Sequence, residues 1–229
     1  HGTSQSYAGF GDFNWEFMPK LRLNFGGRWT HDKKGLETSA PEGAVFANFG
    51  RNTKSWSKFT PKVSLDYRPN DDLMLYASWS KGYRSGGFSG RGLDRVSATT
   101  PFNPETVDSY ETGFKAEFLD RRLQLNVSAF YVEYNDIQQN ITKPGGSTGN
   151  ITIVENAAAA KVKGIEADFT ALPVDNLTIR GSIGLLDNKF KGFTNKEAVG
   201  VGFHTFDYTG VDMIYAPKIT ASLNFEYKH

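Results

Sequence analysis

The chain has 229 residues, 26 basic and 25 acidic side chains and no Cys. Near-balanced charge excludes attraction to nucleic acid or anionic lipid by total charge alone, and the lack of Cys excludes disulfides, thiolate nucleophiles and Cys-ligated metals. No stretch reaches the roughly 18 consecutive apolar residues of a membrane-crossing helix, while aromatic residues make up 14% of the chain, a composition that points to β structure with apolar and polar residues interleaved.

Taken in chain order, the elements read as strands of period two. SYAGFGDFNWEF (6–17) opens the series. LRLNFGGRW follows, with Leu21, Leu23, Phe25 and Trp29 opposite Arg22, Asn24 and Arg28. KVSLDY places Val63, Leu65 and Tyr67 on one face; DLMLYASWS (72–80) and YETGFKAEF (110–118) come next. In RLQLNVSAFY, Leu123, Leu125, Val127, Ala129 and Tyr131 oppose Arg122, Gln124, Asn126 and Ser128. KGIEADFTA (163–171), LTIRGSIGL (177–185) and KITASLNFEYK (218–228) complete about nine strands, most of roughly 10 to 15 residues against a common length of about 5 to 6. AAAAK (157–161) is the one helix-like run and is too short to stand alone.

The connections alternate. Tight turns are expected at MPK (18–20), RPNDD (68–72), LDRR (119–122) and PVDN (173–176), each with Pro, Asn or Asp to make the turn. Long Gly/Ser/Thr/Asn-rich links are expected at 35–55, 85–104, 138–152 and 187–213. The result is an antiparallel meander, short-turned at one end and long-looped at the other. A soluble β-sandwich and a transmembrane β-barrel both fit an alternating meander. Strand length and loop asymmetry favour the barrel. So do aromatics near strand ends, with Trp15, Phe17, Tyr67, Tyr76 and Phe118 by the tight turns and Trp29, Trp79 and Tyr83 by the long links.

Four stretches then carry a resemblance: RWTHDKKGLE (28–37), SKFTPKVSLDYRPNDDLMLYASWSKGYRSGGF (57–88), FNPETVDSYETGFKAEFLDRRLQLNVSAFYVEYNDIQ (102–138) and NAAAAKVKGIEADFTALPVDNLTIRGSIGLLDNKF (156–190). In this order they resemble the barrel of TonB-dependent outer-membrane receptors. The resemblance implies an all-β fold, an internal segment of about nine strands from a barrel of about 22, with residues 1–229 forming a partial barrel domain. No N-terminal plug, TonB box or closing aromatic strand is recognisable, and the opening HGTSQSY has no leader pattern. It further implies a Gram-negative outer-membrane location and active import of a scarce nutrient, most readily a ferric siderophore. The TonB complex, acting through the plug, and lipopolysaccharide would be partners. Cobalamin, an oligosaccharide or another compound is the alternative cargo within the family, and a soluble β-sandwich binding module is the alternative outside it. No enzymatic activity, cofactor or nucleic-acid partner is implied.

Candidate sites follow from this frame. SKGYRSGGF (80–88) lacks the strand-to-helix context of a phosphate loop. It reads as a barrel rim, with Gly86 and Gly87 making the turn. Arg84, Arg91 and Arg95, with Lys81 nearby, are candidates for an anionic ferric chelate because guanidinium forks suit carboxylate and catecholate oxygens. Solvated loop charge is the plainer reading of the same residues. Trp29, Tyr67, Tyr76, Trp79 and Tyr83 are the interfacial aromatics. With the apolar faces toward lipid, Arg22, Arg28, Lys62, Asp66, Arg122, Glu166, Asp168 and Arg180 would line the lumen and meet the plug. His31 and His204 lack metal-ligand spacing and read as solvated loop residues, and the haem-uptake boxes of the family are missing, 103–106 reading NPET. No catalytic or metal site is expected.

Overall fold

A computed structural model describes residues 1–38, 50–90, 98–144, 150–199 and 202–228. In chain order the strands are β1 (Gly2–Met18), β2 (Leu21–Thr38), β3 (Gly50–Asn70), β4 (Leu73–Arg84), β5 (Gly87–Phe88), β6 (Pro101–Phe102), β7 (Glu105–Phe118), β8 (Leu123–Pro144), β9 (Asn150–Val174), β10 (Leu177–Val199), β11 (Gly202–Asp207) and β12 (Ile219–Tyr227). One sheet runs β1-β2-β3-β4-β7-β8-β9-β10-β11, with β12 also on β10, and β5 pairs β6 separately. Every pairing is antiparallel. β11, the segment 208–218 and β12 follow β10 as one interrupted strand: Tyr208 N donates to Phe193 O, Phe190 N to Val211 O and Leu186 N to Lys218 O.

The register turns local alternation into two continuous faces. Trp15, Leu23, Leu65, Ala77, Thr112, Ala129, Ile165, Leu185 and Ile219 are successive cross-strand partners across the sheet, forming a row broken only by a threonine. One residue along each strand, Glu16, Arg22, Asp66, Tyr76, Gly113, Ser128, Glu166, Gly184 and Thr220 form the matching row on the other face. No described residue covers the apolar face: Phe25, Leu65 and Ile165 are 47%, 41% and 52% exposed. From Leu21 to Trp29 the strand climbs roughly 26 Å, which at a tilt of about 40° is roughly 20 Å of height, close to the apolar band of about 25 Å on outer-membrane barrels.

The four tight turns fall where the sequence placed them, between β1 and β2, β3 and β4, β7 and β8, and β9 and β10. Left-handed backbone closes two of them, at Lys20 (φ 70°) and at Leu119, Asp120 and Arg121 (φ 55°, 53° and 68°). The long links differ from expectation. Much of 138–152 and of 187–213 is strand, with β8, β9 and β10 running 22, 25 and 23 residues. Backbone pairing continues past the apolar band because the neighbouring strand supplies the hydrogen bonds whatever the composition. AAAAK (157–161) is likewise strand, within β9.

Two aromatic assignments need correction. Tyr76 lies on the polar face in register with Asp66, and its hydroxyl donates to Glu111 Oε1 at 2.5 Å. A Cβ at Gly113 would stand 2.9 Å from that ring, so the glycine makes room for it. Tyr83 does not remain with the outward aromatics either. β3 and β4 part after Lys62 and Ser80, and its hydroxyl is buried beside Asp32. Trp29, Tyr67 and Trp79 do stand on the apolar face, in register with Phe59, Leu75 and Val63.

A charge on the apolar row tests what that face meets. Leu65→Arg should cost about 2–4 kcal/mol of folding free energy in lipid vesicles, whereas Gln124→Arg, on the polar face beside Glu117, should change it by less than about 0.5 kcal/mol. Chemical denaturation of the vesicle-inserted protein reads both.

Candidate functional site

The polar face is a wall of short cross-strand pairs. Lys62 Nζ lies 2.6 Å from Asp12 Oδ1, Asn24 Nδ2 donates to Asp66 Oδ2 (2.8 Å), Asn126 Nδ2 to Asp168 Oδ2 (2.8 Å) and Arg180 Nη1 to Glu226 Oε2 (2.9 Å). Arg22, Arg28, Lys62, Asp66, Glu166, Asp168 and Arg180 all share this face by register. Arg122 does not sit on the wall: it lies in the β7–β8 turn, pairing Asp175 at 3.0 Å. At the tight-turn end Arg68, Asp72, Lys115, Glu117, Gln124 and Asn126 line a polar recess.

At the long-loop end the link between β4 and β7 is held against the wall. Gln138 Nε2 donates to Ser85 O (2.9 Å) and Asn103 O (3.1 Å), and its backbone amide donates to Glu105 Oε2 (3.0 Å). Asn156 Nδ2 donates to Asn103 O (2.9 Å) and Asp136 O (2.8 Å), while Asn103 N donates to Asn156 Oδ1 (2.6 Å). The left-handed Asp136 (φ 57°), within a register shift of β8, presents its carbonyl to this clamp. Gly86 and Gly87 do not make the turn by left-handed backbone, since neither has positive φ. They are small because space is short: a Cβ on Gly86 would stand 2.7 Å from the Trp56 ring, and one on Gly87 would stand 2.7 Å from Phe102. Trp56 and Asp32 are cross-strand partners, each 8% exposed, beneath this segment.

The proposed binding residues are separated by this geometry. Lys81 turns to the outer face with Trp79: its Nζ lies 3.1 Å from Asp108 Oδ2, and Trp79 Nε1 donates to Asp108 Oδ1 at 3.2 Å. Arg84 is 69% exposed and only 3.9 Å from Glu105 at its nearest, leaving its fork available. Arg91 and Arg95 lie outside the described residues. His31 Nδ1 pairs with Ser57 Oγ (2.8 Å), and its ring stacks on Trp29 at 6.0 Å. His204 is exposed, with its ring edge on Phe206 at 4.8 Å. Among the described residues no group of three or more His, Cys, Asp or Glu could hold a metal ion.

Sequence reading missed a line of rings at this end. Phe190 and Phe193 meet at 4.9 Å, Phe193 and Tyr208 at 5.3 Å, Tyr208 and Phe206 at 6.3 Å, and Phe206 and His204 at 4.8 Å. The line starts in a small core of Ile137, Ala158 and Ala160 and climbs the β10–β11 hairpin. Its signal was present in HTFDY (204–208), where aromatic rings alternate. The hairpin base is fixed by Asp207, which accepts from the Thr209 hydroxyl (2.6 Å) and amide (2.8 Å). Those bonds hold its carboxyl below the usual carboxylate range. The arrangement offers stacking surface and hydrogen-bonding groups to a ligand.

Comparisons with known proteins agree with this architecture. A family model described as TonB dependent receptor-like, beta-barrel matches residues 1–229. The metal-pseudopaline receptor CntO of Pseudomonas aeruginosa is 26% identical over 173 residues, covering 75% of this chain and 22% of that protein. The probable TonB-dependent siderophore receptor PiuA of Acinetobacter baumannii is 25% identical over 220 residues, covering 94% of this chain and 28% of that one. The PiuA crystal structure superposes with a TM-score of 0.73 at 22% identity, over 99% of this chain and 31% of its own. The P. aeruginosa ferripyoverdine receptor bound to ferripyoverdine gives 0.67 at 18%, over 100% and 26%. The chain thus spans between about a fifth and just over a quarter of the length of these two curated relatives.

If the amide clamp holds the β4–β7 link, Asn156→Ala should cost about 1 kcal/mol of local stability and speed hydrogen exchange at residues 102, 103 and 138. Exchange at Ile165 and Ala167, in the paired centre of β9, should stay unchanged.

Proposed function

The chain belongs to the TonB dependent receptor-like β-barrel family, and from that premise we propose that it forms part of the wall and external loops of an outer-membrane importer of ferric siderophores. The single observation that carries the reading is the uncovered apolar row on nine strands, backed by a paired polar face, within a full-length family match. A soluble sandwich would bury that row between two sheets. Lipid accepts it, provided every backbone group is paired. The open edges of β1 and β12 would therefore take further strands, and Trp29, Tyr67 and Trp79 would sit at the two interfaces.

In this reading the polar wall faces a plug, which the TonB complex moves to release cargo inward. The chain contributes no chemistry to a reaction. Cargo arrives from the long-loop side, where Arg84 offers a guanidinium fork to anionic oxygens and Phe206 and His204 offer flat faces for stacking. Lys81, committed to Asp108 on the outer face, takes no part. The name of the CntO relative, a metal-pseudopaline receptor, supports a second reading in which the cargo is a metal chelate other than a siderophore of ferric iron.

Uptake of labelled ferric siderophores by iron-limited cells, with and without the full-length gene, tests the proposal. One chelate should lose its uptake on deletion; a panel whose uptake is unaltered contradicts iron import, and recovery with a different metal chelate selects the second reading. On the purified receptor, Arg84→Ala should weaken binding of an anionic chelate about tenfold, in line with a charge-assisted hydrogen bond of about 1.5 kcal/mol, and Lys81→Ala should leave it unaltered.

A further inference from the structure

We propose that the link between β4 and β7 is a fixed strap, which stays on the wall while cargo is taken up, and that Gln138 is the positioning residue that preorganises Arg84 at its root. The second role deepens the reading of Arg84 as a cargo contact and rests on it. Residues 85–90, SGGFSG, have the composition of a loop free to move. Contacts hold them from both sides instead. Toward β3, Gly86 packs against the Trp56 ring, and the Tyr83 hydroxyl, just before the strap, is buried beside Asp32 of β2. Toward β8 and β9, Gln138 Nε2 bridges Ser85 O and Asn103 O, joining the outgoing and returning halves of the link through one side chain. Asn156 holds Asn103 by its amide and its carbonyl together. Farther out, Ser89 is 5% exposed and its hydroxyl accepts from Val154 N at 3.3 Å. β5 pairs β6 through Gly87–Phe102 and Phe88–Pro101, and Ala98, on the returning half, is buried. Swinging the described part of the link away would break these bonds together and expose Trp56, Ser89 and Ala98 in one step, so the segment moves with the wall.

Arg84 stands where this restraint matters. It closes β4 directly before Ser85, and its cross-strand partner is Glu105. A carboxylate opposite a guanidinium ordinarily takes up its donors. Here Glu105 Oε2, the oxygen 3.9 Å from Arg84 Nη1, accepts the backbone amide of Gln138 at 3.0 Å. Gln138 thus holds the carbonyl that follows Arg84 with its side chain and the carboxylate that faces it with its main chain. Arg84 keeps an open, exposed fork at one place before cargo arrives, and a contact already in place loses less freedom on binding.

The test uses the full-length receptor without any other cysteine, and ferric tricatecholate, trihydroxamate and citrate complexes as probes. S89C/V154C bridges the strap to β9 across the Ser89–Val154 bond, and a spin-label pair at Thr100 on the strap and Lys163 on β9, both exposed, reads the distance between them. Cells with oxidised S89C/V154C should import at the rate of cells with the reduced form, and the labels should report one narrow distance, the same with and without each complex. Loss of uptake on oxidation that a reductant restores, or a second or shifted distance, overturns the fixed strap. For Gln138, the readout is binding of the complex that the receptor takes up. Gln138→Ala should weaken it about fivefold, the size of a coupling between residues in contact, and should weaken it no further in an Arg84→Ala receptor. An equal loss in both backgrounds, or none in either, overturns the positioning role. Arg84→Ala that binds every complex as the wild type does sinks the cargo-contact reading beneath, and the cross-link and spin labels still decide the strap.

Discussion

Lateral backbone pairing is the constraint on which the molecule depends. In a hydrocarbon layer an unpaired N–H or C=O costs several kcal/mol, so the chain crosses by strands whose hydrogen bonds all lie in the sheet. Side chains must then alternate between two environments. Because the register is continuous from Trp15 on β1 to Ile219 on β12, no strand can slip by one residue without placing its charged set in lipid. The Arg22, Asp66 and Glu166 row and the Leu23, Leu65 and Ile165 row hold each other in place. Hydrophobicity here specifies a face more than it builds a core: among the described residues the buried apolar side chains are few and lie largely at the long-loop end, as with Ile137, Ile141, Ile151 and Ile153.

The crossing part of the fold was legible because it depends on this local alternation. Tight turns were legible for the same reason: Pro19, Asn70, Asp120 and Asn176 sit in or beside the short connections. Legibility failed where partners, not composition, decide conformation. Residues 138–144 and 150–152 look loop-like, yet they are held in strand pairing, Ile141 with Ile153 and Thr142 with Thr152. Tyr76 was misread as interfacial because an aromatic near a strand end signals a girdle, whereas its parity with Asp66 places it on the polar wall. Tyr83 shares the parity of Trp79, and only the divergence of β3 from β4 lets it reach Asp32.

The same limit governs the candidate site. Arg84 could be singled out from charge, but both it and Lys81 have acidic cross-strand partners, Glu105 and Asp108; they differ in the face they occupy and in how closely they pair, 3.9 Å against 3.1 Å. Gln138 and Asn156 carry no motif. Their importance lies in three carbonyls, on Ser85, Asn103 and Asp136, that the strands bring within reach of two amides. The glycines of SGGF (85–88) suggest backbone freedom by composition and serve instead to let Trp56 and Phe102 close over the link. The alternating half of the wall thus follows from periodicity, and the long-loop end follows from contacts between segments far apart in sequence.

The central claim, that one face meets lipid and the other a polar lumen, is directly measurable, because residues 1–229 contain no Cys to compete with an introduced label. Single cysteines placed in turn from Ile165 to Thr170 in the full-length protein, spin-labelled and inserted into bilayers, would report collision with lipid-soluble oxygen and with a water-soluble nickel chelate. The account predicts a strict two-residue period, with oxygen favoured at 165, 167 and 169 and the aqueous reagent at 166, 168 and 170. Equal aqueous access at all six positions, or oxygen favoured at the even ones, would contradict it.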